Sequence, residues 1–184
     1  MKQIKKNEGK KQAVIIMNGK AGVGKDTLMD YAKQYYTVRN VSSVLRVKEA
    51  AIVVGWDGEY DNRGRQFLVD IKQACIKYDP LLITNFLVQE YNKFKSVEQD
   101  IMFVAIREAA EIEKFKQAVP QARSVWVVRD TGFVGNVDTS EDTSLAHQYD
   151  YTFDNSVQLE KACKNFIKLI EKIRNTPTDL PLLQ

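Results

Sequence analysis

Gly19-Lys20-Ala21-Gly22-Val23-Gly24-Lys25-Asp26-Thr27 is the stretch best equipped for chemistry. Gly19, Gly24 and Lys25 stand at the spacing of a phosphate-binding loop. Glycines let backbone N–H groups turn inward and approach phosphate oxygens closely. A lysine at this point reaches the β- and γ-phosphates as a point charge. The next position ordinarily carries a hydroxyl that ligates magnesium. Here it is Asp26, and the hydroxyl follows on Thr27.

Such a loop needs a strand before it and a helix after it. Ala13-Val14-Ile15-Ile16-Met17 supplies a buried strand that ends in Asn18. Leu28, Tyr31, Ala32 and Tyr35 then fall on one helical face. The start of that helix adds the positive end of its dipole to the phosphate site.

Further along, residues 38–47 read as a short strand and 47–54 as a helix closed by Gly55. Residues 55–65, rich in Gly, Asp and Asn, read as a loop. Phe67, Leu68, Ile71, Ala74, Cys75 and Tyr78 recur at helical spacing, and Asp79-Pro80 separates that helix from the next. Ile101–Ile106 are continuously apolar, as in a strand of a parallel sheet buried on both faces, and Ser124–Val128 read as another buried strand. Helices are expected over 108–119 and 157–174, with a short last strand at 150–154. Strands alternating with helices predict a three-layer α/β domain with a parallel sheet.

In such sheets ligands bind beyond the carboxyl ends of the strands. Those ends carry the phosphate loop, Arg107-Glu108 and Arg129-Asp130. Arginines hold phosphates bidentately and offset transition-state charge. A carboxylate orients an acceptor hydroxyl or holds magnesium waters. Each also has a plainer reading, in which the arginines mark the sheet edge and Glu108 favours a helix start.

The 184 residues suit one domain over 12–174, flanked by a basic tail, 1–11, and a C-terminal tail, 175–184. The chain's net charge is +3, of which the first eleven residues, with five lysines and one glutamate, supply +4, leaving −1 elsewhere. That excludes a dedicated nucleic-acid surface on the folded part. No apolar run is long enough to span a bilayer, and the N-terminus lacks the apolar core of a secretory signal. Cys75 and Cys163 read as buried thiols, and a cytoplasmic location is expected. The lone His147 reads as a solvated loop residue.

The Gly24-Lys25-Asp26-Thr27 ending resembles that of bacteriophage deoxynucleoside monophosphate kinases, and animal phosphomevalonate kinases have a similar Gly-Lys-Asp loop. Gly55-Trp56-Asp57-Gly58, Arg63–Leu68, Val127-Val128-Arg129 and Tyr149–Asn155 resemble other segments of the phage enzymes. The likeness covers most of residues 12–174. It implies a nucleoside monophosphate kinase: a three-layer α/β/α P-loop fold with a five-stranded parallel sheet in order 2-3-1-4-5. It implies ATP and Mg2+ at residues 19–27, with Lys25 bridging the transferred phosphoryl and Asp26 and Thr27 serving the metal. Arg65 and Arg107 would grip the acceptor phosphate, with Glu108 beside them, and Arg129 the donor side. Asn155 would lie close to the adenine.

Three points stay open. Asp26 either binds a magnesium-coordinated water or caps the helix. Trp56 and Tyr60 either stack on an acceptor base or anchor their loop. The segment between Asp130 and Tyr149, expected to close over the phosphates, has no lysine or arginine and carries Asp138, Glu141 and Asp142. An acidic cover repels a nucleotide. The readings are therefore a nucleoside monophosphate kinase, a kinase with another small phosphorylated acceptor, and a nucleotide-binding module with weak catalysis.

Overall fold

Successive residues of a strand point to opposite faces of its sheet, so an all-apolar strand must be covered on both. β1 (Ala13–Asn18) meets that condition. In the computed structural model, which describes residues 12–130 and 147–176, Ala13, Ile15 and Met17 join one core and Val14 and Ile16 another. The same alternation divides β3 (Ile101–Ala105): Ile101 and Phe103 face the first layer, Met102 and Val104 the second.

The remaining elements run in order α1 (Lys25–Ala32), β2 (Val38–Ser42), α2 (Leu45–Val53), α3 (Asn62–Tyr78), α4 (Leu82–Lys95), then after β3 come α5 (Ala109–Ala118), β4 (Arg123–Val128), β5 (Tyr151–Asp154) and α6 (Leu159–Asn175). The sheet has five parallel strands in the expected order, β2-β3-β1-β4-β5. Helices α1 and α6 cover one face through Leu28, Ala32, Phe166 and Ile170. Helices α4 and α5 cover the other through Phe86, Leu87, Ile112 and Phe115. Register pairs Met17 with both Ala105 and Val125, and Val128 with Asp154, so the carboxyl ends share one edge.

Two expected boundaries move. The second strand stops at Ser42; Leu45 and Val47 belong to α2. The loop expected to run to residue 65 ends at Asp61, whose Oδ1 accepts from the Gly64 N–H at 2.7 Å and caps α3. Gly64 is buried in the first turn of α3, where a Cβ would lie 2.0 Å from the Glu59 carbonyl oxygen. It is therefore a packing glycine rather than a turn glycine.

α3 forms over the residues whose apolar spacing predicted a helix, but it buries little of that face. Its fully buried residues are Gly64 and Lys72. Tyr78 is 87% exposed, and Cys75 is half-buried where a buried thiol was expected. Cys163 is buried in α6 as expected. The basic and C-terminal tails and the acidic residues Asp138, Glu141 and Asp142 lie outside the described residues, apart from Asn175 and Thr176. Among the described residues no helix is long and apolar enough to cross a membrane.

Phe166 is wholly buried, stacks on Phe103 at 5.9 Å between centroids and meets Phe153 edge-on at 5.3 Å. Phe166→Ala is expected to cost about 3–5 kcal/mol in urea unfolding. Tyr78→Ala should stay within about 0.5 kcal/mol, since its ring packs little.

Candidate functional site

The loop after β1 is held from three sides. Gly19 (φ 143°) lies so close to β4 that a Cβ would sit 2.4 Å from the Val127 carbonyl oxygen. Asn18, at the end of β1, uses its whole carboxamide: Oδ1 accepts from the Gly19 N–H at 2.8 Å, while Nδ2 donates to the Arg107 carbonyl at 2.9 Å and to the Tyr149 hydroxyl at 2.8 Å. Burial pushes the Tyr149 phenol up to about 12, against the opposing pull of the Asn18 bond, so it remains a neutral hydroxyl. On the third side Asn155 is buried and its Nδ2 donates to the Val23 carbonyl at 2.7 Å.

Gly24 takes a left-handed conformation (φ 88°) as the N-cap of α1, where a Cβ would meet Asn155 Nδ2 at 2.6 Å. Lys25 opens the helix, and its ammonium donates to the Gly19 and Lys20 carbonyls at 2.6 and 2.7 Å. The charge is therefore already folded over the loop. Lys20, Ala21 and Gly22 are exposed, as an approaching anion requires.

The N-cap of α1 is Gly24, and Asp26 lies beyond it, as the acidic residue of the first turn. It stands exposed in the first turn beside exposed Thr27. Among the described residues no group of three or more His, Cys, Asp or Glu side chains is placed to hold a metal. A carboxylate and a hydroxyl at a phosphate loop nonetheless fit magnesium, which binds through one or two protein oxygens, phosphates and waters.

Because β3 and β4 flank β1, Arg107 and Arg129 emerge from strands on either side of the loop, and both are exposed. Arg65 is exposed in the first turn of α3, where its Nε donates to the Tyr60 carbonyl at 3.0 Å. Trp56 is half-buried; its indole N–H donates to the Glu59 carbonyl at 3.2 Å and its ring meets Tyr60 edge-on at 5.2 Å. It anchors the α2–α3 loop. Tyr60 is half exposed, with the Lys48 ammonium 5.1 Å from its ring centroid.

Lys72, which carried no signal of its own beyond interrupting an apolar helix face, is the unexpected member. It is 6% exposed, and its ammonium lies 2.7 Å from Glu108 Oε2 and 2.8 Å from Glu111 Oε1. Glu108 is the N-cap of α5 but makes no capping bond; its side chain turns to Lys72 instead. Burial pushes Glu111 up to about 7, with Lys72 opposing and Glu108 reinforcing the rise. Burial also disfavours the Glu108 carboxylate, but the Lys72 charge outweighs it and holds the group below its usual range. The i, i+3 spacing of Glu108 and Glu111 was the available clue.

His147 corrects its expected solvated place. It is buried, with Nε2 3.1 Å from Ser124 Oγ and Nδ1 2.7 Å from Glu113 Oε1. Ser124 also donates its N–H and hydroxyl to Asp150 Oδ2 at 2.6 and 3.0 Å, and Lys116 pairs with that carboxylate at 2.9 Å. This network seats the chain leading to Tyr149 and β5.

Sheet order and loop together define a three-layer P-loop α/β kinase fold. No protein-family model and no curated protein matches the sequence. The fold is similar to that of TT1252 from Thermus thermophilus, which is 12% identical, covers 89% of this chain and 98% of its own, and superposes with a TM-score of 0.55. It is also similar to a sugar kinase from Janibacter sp., 11% identical over 88% of this chain and 95% of that one, with a TM-score of 0.53. At these identities the likeness is one of fold.

Gly19→Ala should lower stability in urea unfolding by about 2–4 kcal/mol, because β4 leaves no room for a methyl group. The raised Glu111 carboxyl gives a second expectation. It keeps its proton in the folded state over a range where the unfolded chain has lost it. Its contribution to stability is full below the ordinary value of 4.5 and falls as pH rises to about 7. Glu111→Gln should flatten the decline in urea-unfolding stability across that window. An unchanged slope would place the proton elsewhere.

Proposed function

We propose that the chain is a kinase that transfers the γ-phosphoryl of ATP to a small phosphorylated acceptor, with a nucleoside or deoxynucleoside monophosphate favoured. The observation that carries this reading is the flanking of the phosphate loop by Arg107 and Arg129, on the two strands beside β1. Cations on both sides of a phosphate loop suit two anionic partners meeting at the γ-phosphoryl. The resemblance of residues 24–27, 55–58, 63–68, 127–129 and 149–155 to phage deoxynucleotide kinases favours the nucleotide acceptor.

Phosphoryl transfer asks little covalent chemistry of the protein; positioning and electrostatics do the work. The N–H groups of residues 20–24 and the start of α1 would bind the donor phosphates. Lys25 would leave the Gly19 and Lys20 carbonyls to follow the β- and γ-oxygens. Arg129 would support the donor side, while Arg65 and Arg107 hold the acceptor phosphate. Asp26 and Thr27 would hold Mg2+, directly or through its waters, and the ion would neutralise charge between the β- and γ-phosphates. Asn155 would set the loop's shape from below, with its neighbours toward the adenine.

A second reading has its own support. Glu108 places a carboxylate at the end of β3, where it would suit a hydroxyl acceptor, and the similar Janibacter protein is a sugar kinase.

The test is a coupled assay of ADP formation with ATP and Mg2+ across all ribo- and deoxynucleoside monophosphates, followed by simple sugars. Transfer to a monophosphate is expected, with Lys25→Ala lowering kcat/KM by at least about a thousandfold, roughly 4 kcal/mol of transition-state stabilisation. Transfer to sugars alone would select the second reading. ATP binding without any transfer would leave a nucleotide-binding module, and unchanged turnover in Lys25→Ala would overturn the phosphate-loop mechanism.

A further inference from the structure

The buried ionic group of Lys72, Glu108 and Glu111 is larger than the fold needs. Burying charges costs several kcal/mol per ion unless they are paired, and an apolar substitute of similar volume is often as stable. Here the group ties together elements that otherwise share little. α3 packs mainly on α2 and α4, and apart from Gly64 it buries only Lys72. Lys72 crosses from α3 to the corner where β3 turns into α5 and meets Glu108 and Glu111 there.

The charges in this group also balance. One ammonium faces two carboxyl groups. With a proton on Glu111, which burial favours, the group becomes a single ion pair of zero net charge. The arrangement leaves Glu108 as the anion. Its Oε2 is enclosed against Lys72, yet the side chain is 35% exposed, against 7% for Lys72 and 10% for Glu111. Glu108 follows Arg107 in the chain, just beyond the carboxyl end of β3, where α/β sheets bind ligands.

We propose that Glu108 is the specificity-determining group of the acceptor site, accepting a hydrogen bond from a neutral hydroxyl or amino group of the acceptor, and that Lys72 is the residue that positions it. An ionised carboxylate accepts and cannot donate. Beside Arg107 it repels a second phosphate and selects a molecule presenting a donor next to its anionic end. The acceptor class is thus a monophosphate whose sugar or base offers an O–H or N–H at that distance. Lys72 also sets the helix that carries Arg65. Arg65 and Lys72 are seven residues apart, on one face of α3 and about 10 Å apart along its axis. One buried ammonium thereby fixes both the carboxylate and the mounting of an arginine.

This inference rests on the kinase reading, and its test separates the two. Steady-state kinetics with ATP and the best acceptor of the panel would compare wild type, Lys72→Met, Lys72→Arg and Glu108→Gln, each checked for a cooperative melt. Lys72→Met should raise the acceptor KM at least tenfold and leave the ATP KM within about twofold. Lys72→Arg should recover most of that loss, and Glu108→Gln should shift preference among acceptors that differ by one hydroxyl or amino group. An unchanged acceptor KM in folded Lys72→Met, or equal losses for ATP and acceptor, would overturn the inference. A protein-only arm uses 13C-carboxyl NMR of labelled glutamate. The Glu108 signal should move in Lys72→Met and return toward wild type in Lys72→Arg. A Glu108 signal indifferent to Lys72 would overturn the positioning role even if transfer were robust. Failure of wild type to transfer to any acceptor would overturn the kinase reading and with it the acceptor role of Glu108, whatever the NMR showed of Lys72.

Discussion

The constraint on which the phosphate loop depends is the approach of Gly19 to the backbone of β4. No side chain fits between them, and the distance fixes where the loop leaves the sheet. From that point the other contacts follow. Asn18 turns the chain with both ends of its carboxamide, Gly24 bends back into α1, and Lys25 closes the ring by donating to the carbonyls of Gly19 and Lys20. A phosphate-binding loop is a set of N–H groups with no partners of their own, so something else must hold its backbone in shape. In this chain β3, β4 and the turn after β5 share that task.

On the proposed kinase reading, the site has two halves of different construction. The donor half is built from backbone, glycine and short carboxamides, and its geometry is over-determined. The acceptor half is built from long charged side chains on α3 and at the end of β3. Its members are joined by charge rather than by apolar packing. Such a construction is adaptable: a change of one or two charged residues alters what is recognised without disturbing the core. The donor half has no comparable freedom.

That difference also explains what could be read before the structure was known. The central strands were legible because a parallel sheet buried on both faces leaves continuous apolar runs, and residues 13–17, 101–106 and 125–128 are such runs. The loop was legible because its glycines and lysine are local in sequence. α3 was legible as a helix from its apolar spacing, but its start was not, and Gly64 looked like part of a turn although it is a contact point. His147 was misjudged for another reason. Its partners, Ser124 and Glu113, lie 23 and 34 residues away, and only the fold brings them together. Lys72 was invisible on similar grounds, since a lysine on a helix is ordinarily solvated.

Asn155 has a consequence in time as well as in space. Its bond to the Val23 carbonyl joins residues 132 positions apart. The donor loop is translated early, yet the residue that shapes it is among the last of the domain to appear. A growing chain that has already paired β1 with β3 and β4 still lacks the brace under Val23 and Gly24. The brace under the loop is thus completed only when β5 docks at the sheet edge, so the loop's final shape would report finished folding.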